Sequence, residues 1–174
     1  MPYTGRIKMS TETSFLEVSV STLRLHASRI EACLEKLSDD QIWARGQENE
    51  NAIGNLALHL AGNVRQWIIS SLGNTPDLRD RNSEFDARGG FTSTELSSRL
   101  RDTVDQAIAI IPALTTEQLT RNYEIQGYRV SGVEVVFHVV EHFAQHTGQI
   151  IFATKMLTGA DLGFYRHLRA ATPR

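Results

Sequence analysis

Three of the chain's six histidines, His138, His142 and His146, recur at a spacing of four. On a helix turning about 100° per residue they fall within a stripe of roughly 80°. An unprotonated imidazole nitrogen is a ligand for zinc and similar divalent ions. Histidines four apart are separated by about 6 Å along the helix axis, close enough to share one ion. His138 and His146 are about 12 Å apart, too far for metal–nitrogen bonds of about 2 Å. One adjacent pair can therefore chelate, and spacing alone does not choose between His138–His142 and His142–His146.

A pair of ligands is not a site. A catalytic zinc-type centre has three protein ligands and an open position, and a structural one has four. His59 is the best third candidate, because it stands among Leu56, Leu58 and Leu60, where a polar group needs a reason. The alternative for His59 is a hydrogen-bonded core histidine, with His142 and His146 lining a polar seam. His26 and His167 read as surface or packing residues.

The elements that must carry these residues are helical. Apolar residues recur at helical rather than strand spacing. The first helix is expected over about 14–37, with Phe15, Val18, Leu23, Ile30, Cys33, Leu34 and Leu37 inward. A second helix is expected over about 52–72, with Asn51 as its cap, and Gly73 to Pro76 stops it. Residues 77–90 read as a charged loop. Thr92 and Glu95 are spaced as a capping box for a third helix over about 93–114. The connection to about 132 holds a brief extended stretch at Tyr123–Gln126. The fourth helix runs over about 132–157 and ends at Gly159, and Leu162–Leu168 forms a short terminal helix. The expected fold is all-α: a four-helix bundle with long connecting loops. Residues 1–10 are expected to be a flexible segment and 11–174 a single domain.

Bulk properties narrow the function. The chain has 174 residues, is 41% hydrophobic and 22% charged, and carries a net charge of −2. Scattered basic residues without an excess argue against a nucleic-acid partner. The single cysteine, Cys33, excludes a cysteine-based zinc site and an internal disulfide, and it reads as a core or boundary residue. No leader or membrane span is expected, and the cytoplasm is the expected location.

The stretch His138-Val139-Val140-Glu141-His142-Phe143-Ala144-Gln145-His146-Thr147-Gly148-Gln149-Ile150 resembles the metal-binding helix of the DinB/YfiT-like superfamily. Gly54-Asn55-Leu56-Ala57-Leu58-His59-Leu60-Ala61-Gly62-Asn63 is similar to its earlier ligand-bearing helix. Arg79-Asp80-Arg81, Glu84-Phe85, Lys155 to Gly159 and Asp161 to Tyr165 are similar to an uncharacterised DinB-related subfamily. The resemblance runs from about Asp40 to about Leu168. It implies a four-helix bundle with His59, His142 and His146 holding one divalent ion, zinc or nickel, and His138 as a neighbour. It also implies a homodimer, and the superfamily includes transferases and isomerases that use low-molecular-weight thiols.

Three neutral imidazoles would leave such an ion its full charge, able to stabilise a bound hydroxide or thiolate near neutral pH. A thiol cosubstrate in the open position would then serve S-transfer to a substrate that the residues do not identify. Candidates to orient the imidazoles are Asn55 and Asn63, one turn either side of His59, together with His138 and Gln149; Glu141 is expected to face away. The charged segment Arg79–Glu84 reads first as an ion-pair network joining helices and second as a cover for the site. Trp43 and Trp67 read as core, and Tyr128, Arg129, Phe164 and Tyr165 as candidates to line a pocket. Competing functions are a metalloenzyme, a non-enzymatic metal-binding or stress-response module, and a metal-free bundle acting through dimerisation.

Overall fold

The structure, a computed structural model, describes residues 10–169. Of the expected flexible segment only Ser10 lies within them, and its hydroxyl accepts from the Thr13 amide to cap the first helix. In chain order the elements are α1 (Thr11–Leu34), α2 (Asp39–Trp43), α3 (Ile53–Val64), α4 (Arg81–Asp86), α5 (Ser93–Ile110), α6 (Thr116–Thr120), β1 (Asn122–Ile125), β2 (Tyr128–Ser131), α7 (Gly132–Thr158) and α8 (Arg166–Arg169). The helix of α3 continues through π-helical turns over Arg65–Leu72.

The long helices form the expected all-α bundle. α1 packs on α5 and α7, and α3 packs on the same two helices. Leu23, Ile30 and Leu34 from α1 meet Leu60 and Val64 from α3, Leu96 and Leu100 from α5, and Val139, Phe143 and Ile150 from α7 in one core. Each fully buried side chain of this size contributes about 1.5–3 kcal/mol of apolar burial. Every residue of α3 except Gly62 is buried, so polar residues on this helix sit in an interior.

Local capping explains the helix boundaries. Ser131 and Glu134 form a reciprocal capping box that starts α7, and Gly159, at φ +64°, ends it in the left-handed conformation. The expected Thr92–Glu95 box is present at the start of α5.

Several expectations are corrected. α1 begins and ends three residues earlier than expected, and Val18 is 57% exposed while Leu16 and Val20 point inward. Asn51 does not cap α3. Its place is taken by Asn55 in the first turn, whose Oδ1 accepts from the Ala52 amide at 3.0 Å. The charged loop contains α4, started by Asp80 accepting from the Asn82 and Ser83 amides. The brief extended stretch is one arm of an antiparallel hairpin, turned by Gln126 and Gly127 at φ +53° and +80°.

Candidate metal centre

Packing of α3 against α7 brings His59 beside His142 and His146. His59 is 6% exposed, while the other two are half-buried. The Nε2 atom of His142 lies 3.1 Å from Nε2 of His59 and 3.1 Å from Nε2 of His146. One ligand atom from each of the three lies within 4.8 Å of the others. Nitrogens bound to one ion at about 2.0–2.1 Å are themselves roughly 3–3.4 Å apart, so the two short separations suit a shared ion.

The outer nitrogens have partners of their own. His146 Nδ1 is 2.7 Å from Gln149 Oε1, to which it donates in the Nδ1–H tautomer. His59 Nδ1 is 3.1 Å from Glu84 Oε2 and 3.1 Å from Arg79 Nη2. With Gln149 and Glu84 accepting, the Nε2 atoms of His146 and His59 both present lone pairs to His142. A single His142 Nε2–H could satisfy only one of them, and its Nδ1 is buried without a partner. A cation is the partner that satisfies converging lone pairs, so this donor set fits a divalent ion.

Protonation of His142 and of His146 is disfavoured. Burial first, and then the neighbouring His146, His59, His138 and Arg79, lower the His142 pKa to about 3. Burial also lowers His146, against an opposing hydrogen bond from Gln149. His138 is lowered by burial as well.

The structure joins His142 with His146, the pairing that spacing had left open. His138 stands outside the cluster. Its ring centroid lies 3.9 Å from that of Trp67, the two rings tilted by 31°, and its Nε2 is 3.4 Å from Asn63 Nδ2. Asn63 therefore touches His138 and makes no hydrogen bond to His59. Asn55 makes no hydrogen bond to His59 either: its Nδ2 donates to the Glu84 and Ala87 carbonyls at 2.8 and 3.0 Å, holding α4 on α3. Glu141 is exposed and paired with Gln145, turned away as expected.

Glu84 was not among the residues singled out for the site. Arg79 Nε and Nη2 each donate to its carboxylate at 2.7 Å, with the two side chains only 2% and 9% exposed. Burial alone would raise the Glu84 pKa, but hydrogen bonds from Arg79 and His59 outweigh it and hold the carboxyl below its ordinary value. The sequence signal was the density of charge between Arg79 and Glu84. The ion pair itself lies within that segment, and the segment is joined to its neighbouring helix by Glu84 at His59 and by Arg79 donating to Gln66.

A cavity of about 610 Å³ lies between α3, α4 and α5, walled by Arg79 and Glu84 but by no histidine. Tyr128, Arg129, Phe164 and Tyr165 do not line it. Trp67 is core, and Trp43 is half-buried under Gly54, donating to the Phe91 carbonyl at 2.9 Å. Cys33 is buried, and burial raises its thiol pKa. His26 is half-buried and His167 exposed, both outside the cluster. Among the described residues no helix is long and apolar enough to cross a membrane.

Residues 10–168 match the family described as a protein of unknown function, DUF1572. The chain belongs to the DUF1572 family. The uncharacterized protein YjoA of Bacillus subtilis (strain 168) is 22% identical over 151 residues, spanning 84% of this chain and 94% of YjoA. The crystal structure of YjoA, described as DinB-like, superposes with a TM-score of 0.65 over 85% of this chain and 97% of that one. A conserved protein from Enterococcus faecalis gives a TM-score of 0.71 at 16% identity, over 83% of this chain and 97% of that one. A DinB-like protein from Bacillus cereus ATCC 10987 gives 0.65 at 14% identity, over 84% and 94%. This DUF1572 chain therefore has the DinB-like helical fold that the sequence resemblance implied.

Proposed function

We propose that this DUF1572 protein binds one divalent metal ion through Nε2 of His59, His142 and His146 and acts as a metal-dependent enzyme. The observation that carries this is the convergence of the three Nε2 atoms, with Gln149 and Glu84 placed to take the opposite N–H of the two flanking rings. Imidazole donors suit zinc and nickel. When bound, such an ion supplies Lewis acidity that lowers the pKa of a water or thiol ligand.

The chain's own residues supply the frame. His59 comes from the buried helix α3, and His142 and His146 sit one turn apart on α7, so rigid elements hold all three. Half-exposure of His142 and His146 leaves the solvent side of the cluster accessible, as an exchangeable ligand position requires. S-transfer from a low-molecular-weight thiol is the reaction class that the DinB-like resemblance points to. Homodimerisation belongs to the same proposal, supported by Phe137, Phe152 and Met156 exposed on the outer side of α7.

Metal analysis of purified protein, with X-ray anomalous scattering at zinc and nickel edges, tests the site. One ion per chain is expected, and His59→Ala should lose it. Wild-type protein that contains no metal and takes up neither zinc nor nickel would sink the proposal. Cobalt-substituted protein tests the enzyme: its visible spectrum should change when thiol is added, and an unchanged spectrum would assign the ion a structural role.

A further inference from the structure

We infer that Glu84 is a positioning residue of the metal centre, selecting the His59 tautomer that leaves Nε2 free, with Arg79 and Gly62 fixing where its carboxylate sits. This rests on the metal site proposed above. Histidine ligands generally donate their second N–H to a carboxylate or carbonyl, which fixes the tautomer and strengthens the ligand. Glu84 Oε2, at 3.1 Å from His59 Nδ1, is in place to accept that proton.

Arg79 creates a competition. Its Nη2 is also 3.1 Å from His59 Nδ1 and would donate to the opposite tautomer, in which Nε2 carries the proton and cannot bind metal. A carboxylate pinned at this point decides between the two. Both Glu84 oxygens accept from Arg79 at 2.7 Å, so the carboxylate has little freedom to turn. Arg79 is held in turn by Gln66, whose Oε1 accepts from Nη1 at 2.9 Å. Asn55 holds the backbone of the same residue through the Glu84 carbonyl.

Gly62 is the second observation. It lies inside α3, where glycine is less favourable than alanine. A Cβ built there would overlap Glu84 Oε1 and come within 2.9 Å of Arg79 Nε. The missing side chain is thus the space the carboxylate occupies. Stability does not explain this arrangement, since a buried ion pair is commonly no better than well-packed apolar residues of similar volume. Placement of a charge against His59 does explain it.

Histidine-labelled protein without metal provides the test, because two-bond ¹H–¹⁵N correlations identify the tautomer of His59. The wild type should carry the proton on Nδ1, and Glu84→Gln should move population towards Nε2–H. Gly62→Ala keeps every charge, displaces the carboxylate, and should act in the same direction, which covers the case that Glu84→Gln fails to fold. In chelator competition both variants should bind zinc about 10–100-fold more weakly than wild type. An Nε2–H His59 in the wild type, or wild-type zinc affinity in folded Gly62→Ala, would overturn the inference. Failure of the metal site reads differently: the wild type would bind no zinc, whatever the tautomer.

Discussion

The Nε2 atoms of His59 and His142 face one another at 3.1 Å although 83 positions separate them in the chain. Neither helix makes this contact alone; it arises where α3 lies against α7. The three-histidine cluster is therefore a property of the bundle, and changes to it should divide cleanly between ligands, neighbours and scaffold.

His138 is a neighbour, one turn before His142. His138→Ala should leave zinc stoichiometry at the wild-type value. It removes a ring packed, tilted, with its centroid 3.9 Å from that of Trp67, which should cost about 1 kcal/mol. Zinc titration together with denaturant melts would check both halves, and loss of the ion would contradict the assignment.

Gln149 orients His146 from an exposed position, 2.7 Å from its Nδ1. Water can replace part of that hydrogen bond. Gln149→Ala should therefore weaken zinc binding by about 10-fold, the low end for groups that orient a ligand. A chelator competition assay that finds no change would remove Gln149 from the centre.

Acid should destabilise the metal-free protein. The His142 pKa is about 3 when folded against an ordinary 6.5, and His26, His138 and His146 are lowered in the same direction. Between these limits the unfolded chain binds more protons than the folded one, so stability rises with pH there. It should be fully present above pH 6.5 and fall as pH drops from 6.5 towards about 3. Glu84, held below its ordinary 4.5, adds a loss of the same sign in the lower part of that range. Thermal melts across the window measure the slope, and a melting temperature that rises on acidification would be the wrong sign.

Gly159 ends α7 at φ +64° with open space around it. Gly159→Ala should cost about 1 kcal/mol through backbone strain alone, a fall of about 2–4 °C in melting temperature. Zinc affinity should not change, because His146, the last of the proposed ligands, lies more than three turns away. Calorimetry and a zinc titration on the same sample separate the two effects.

Much of this protein is legible in its residues, because helices and caps depend on near neighbours. The apolar spacing of Leu96, Leu100, Val104 and Ala107 marks the inward face of α5 and continues to Ile111 just beyond its end, and all five are buried. Thr92 with Glu95, and Gly159, mark helix ends by chemistry contained within one turn. The four-residue spacing of His138, His142 and His146 limited any shared ion to an adjacent pair on one helix. The short elements were less legible. α6 and the β1–β2 hairpin span only a few residues each, too short for a period to register.

What tertiary structure decided is where partners come from. Helical spacing could not say whether His138 or His146 completes the pair, because each lies one turn from His142. In the bundle His59 approaches the His142–His146 side, and His138 lies against Trp67. Spacing also could not reveal that Glu84, 25 positions beyond His59, returns to its Nδ1. Residues at that separation meet only when α4 folds back over Gly62. Local sequence thus set the helices and the candidate ligands, while long-range packing set which imidazole nitrogens converge and which carboxylate stands behind them.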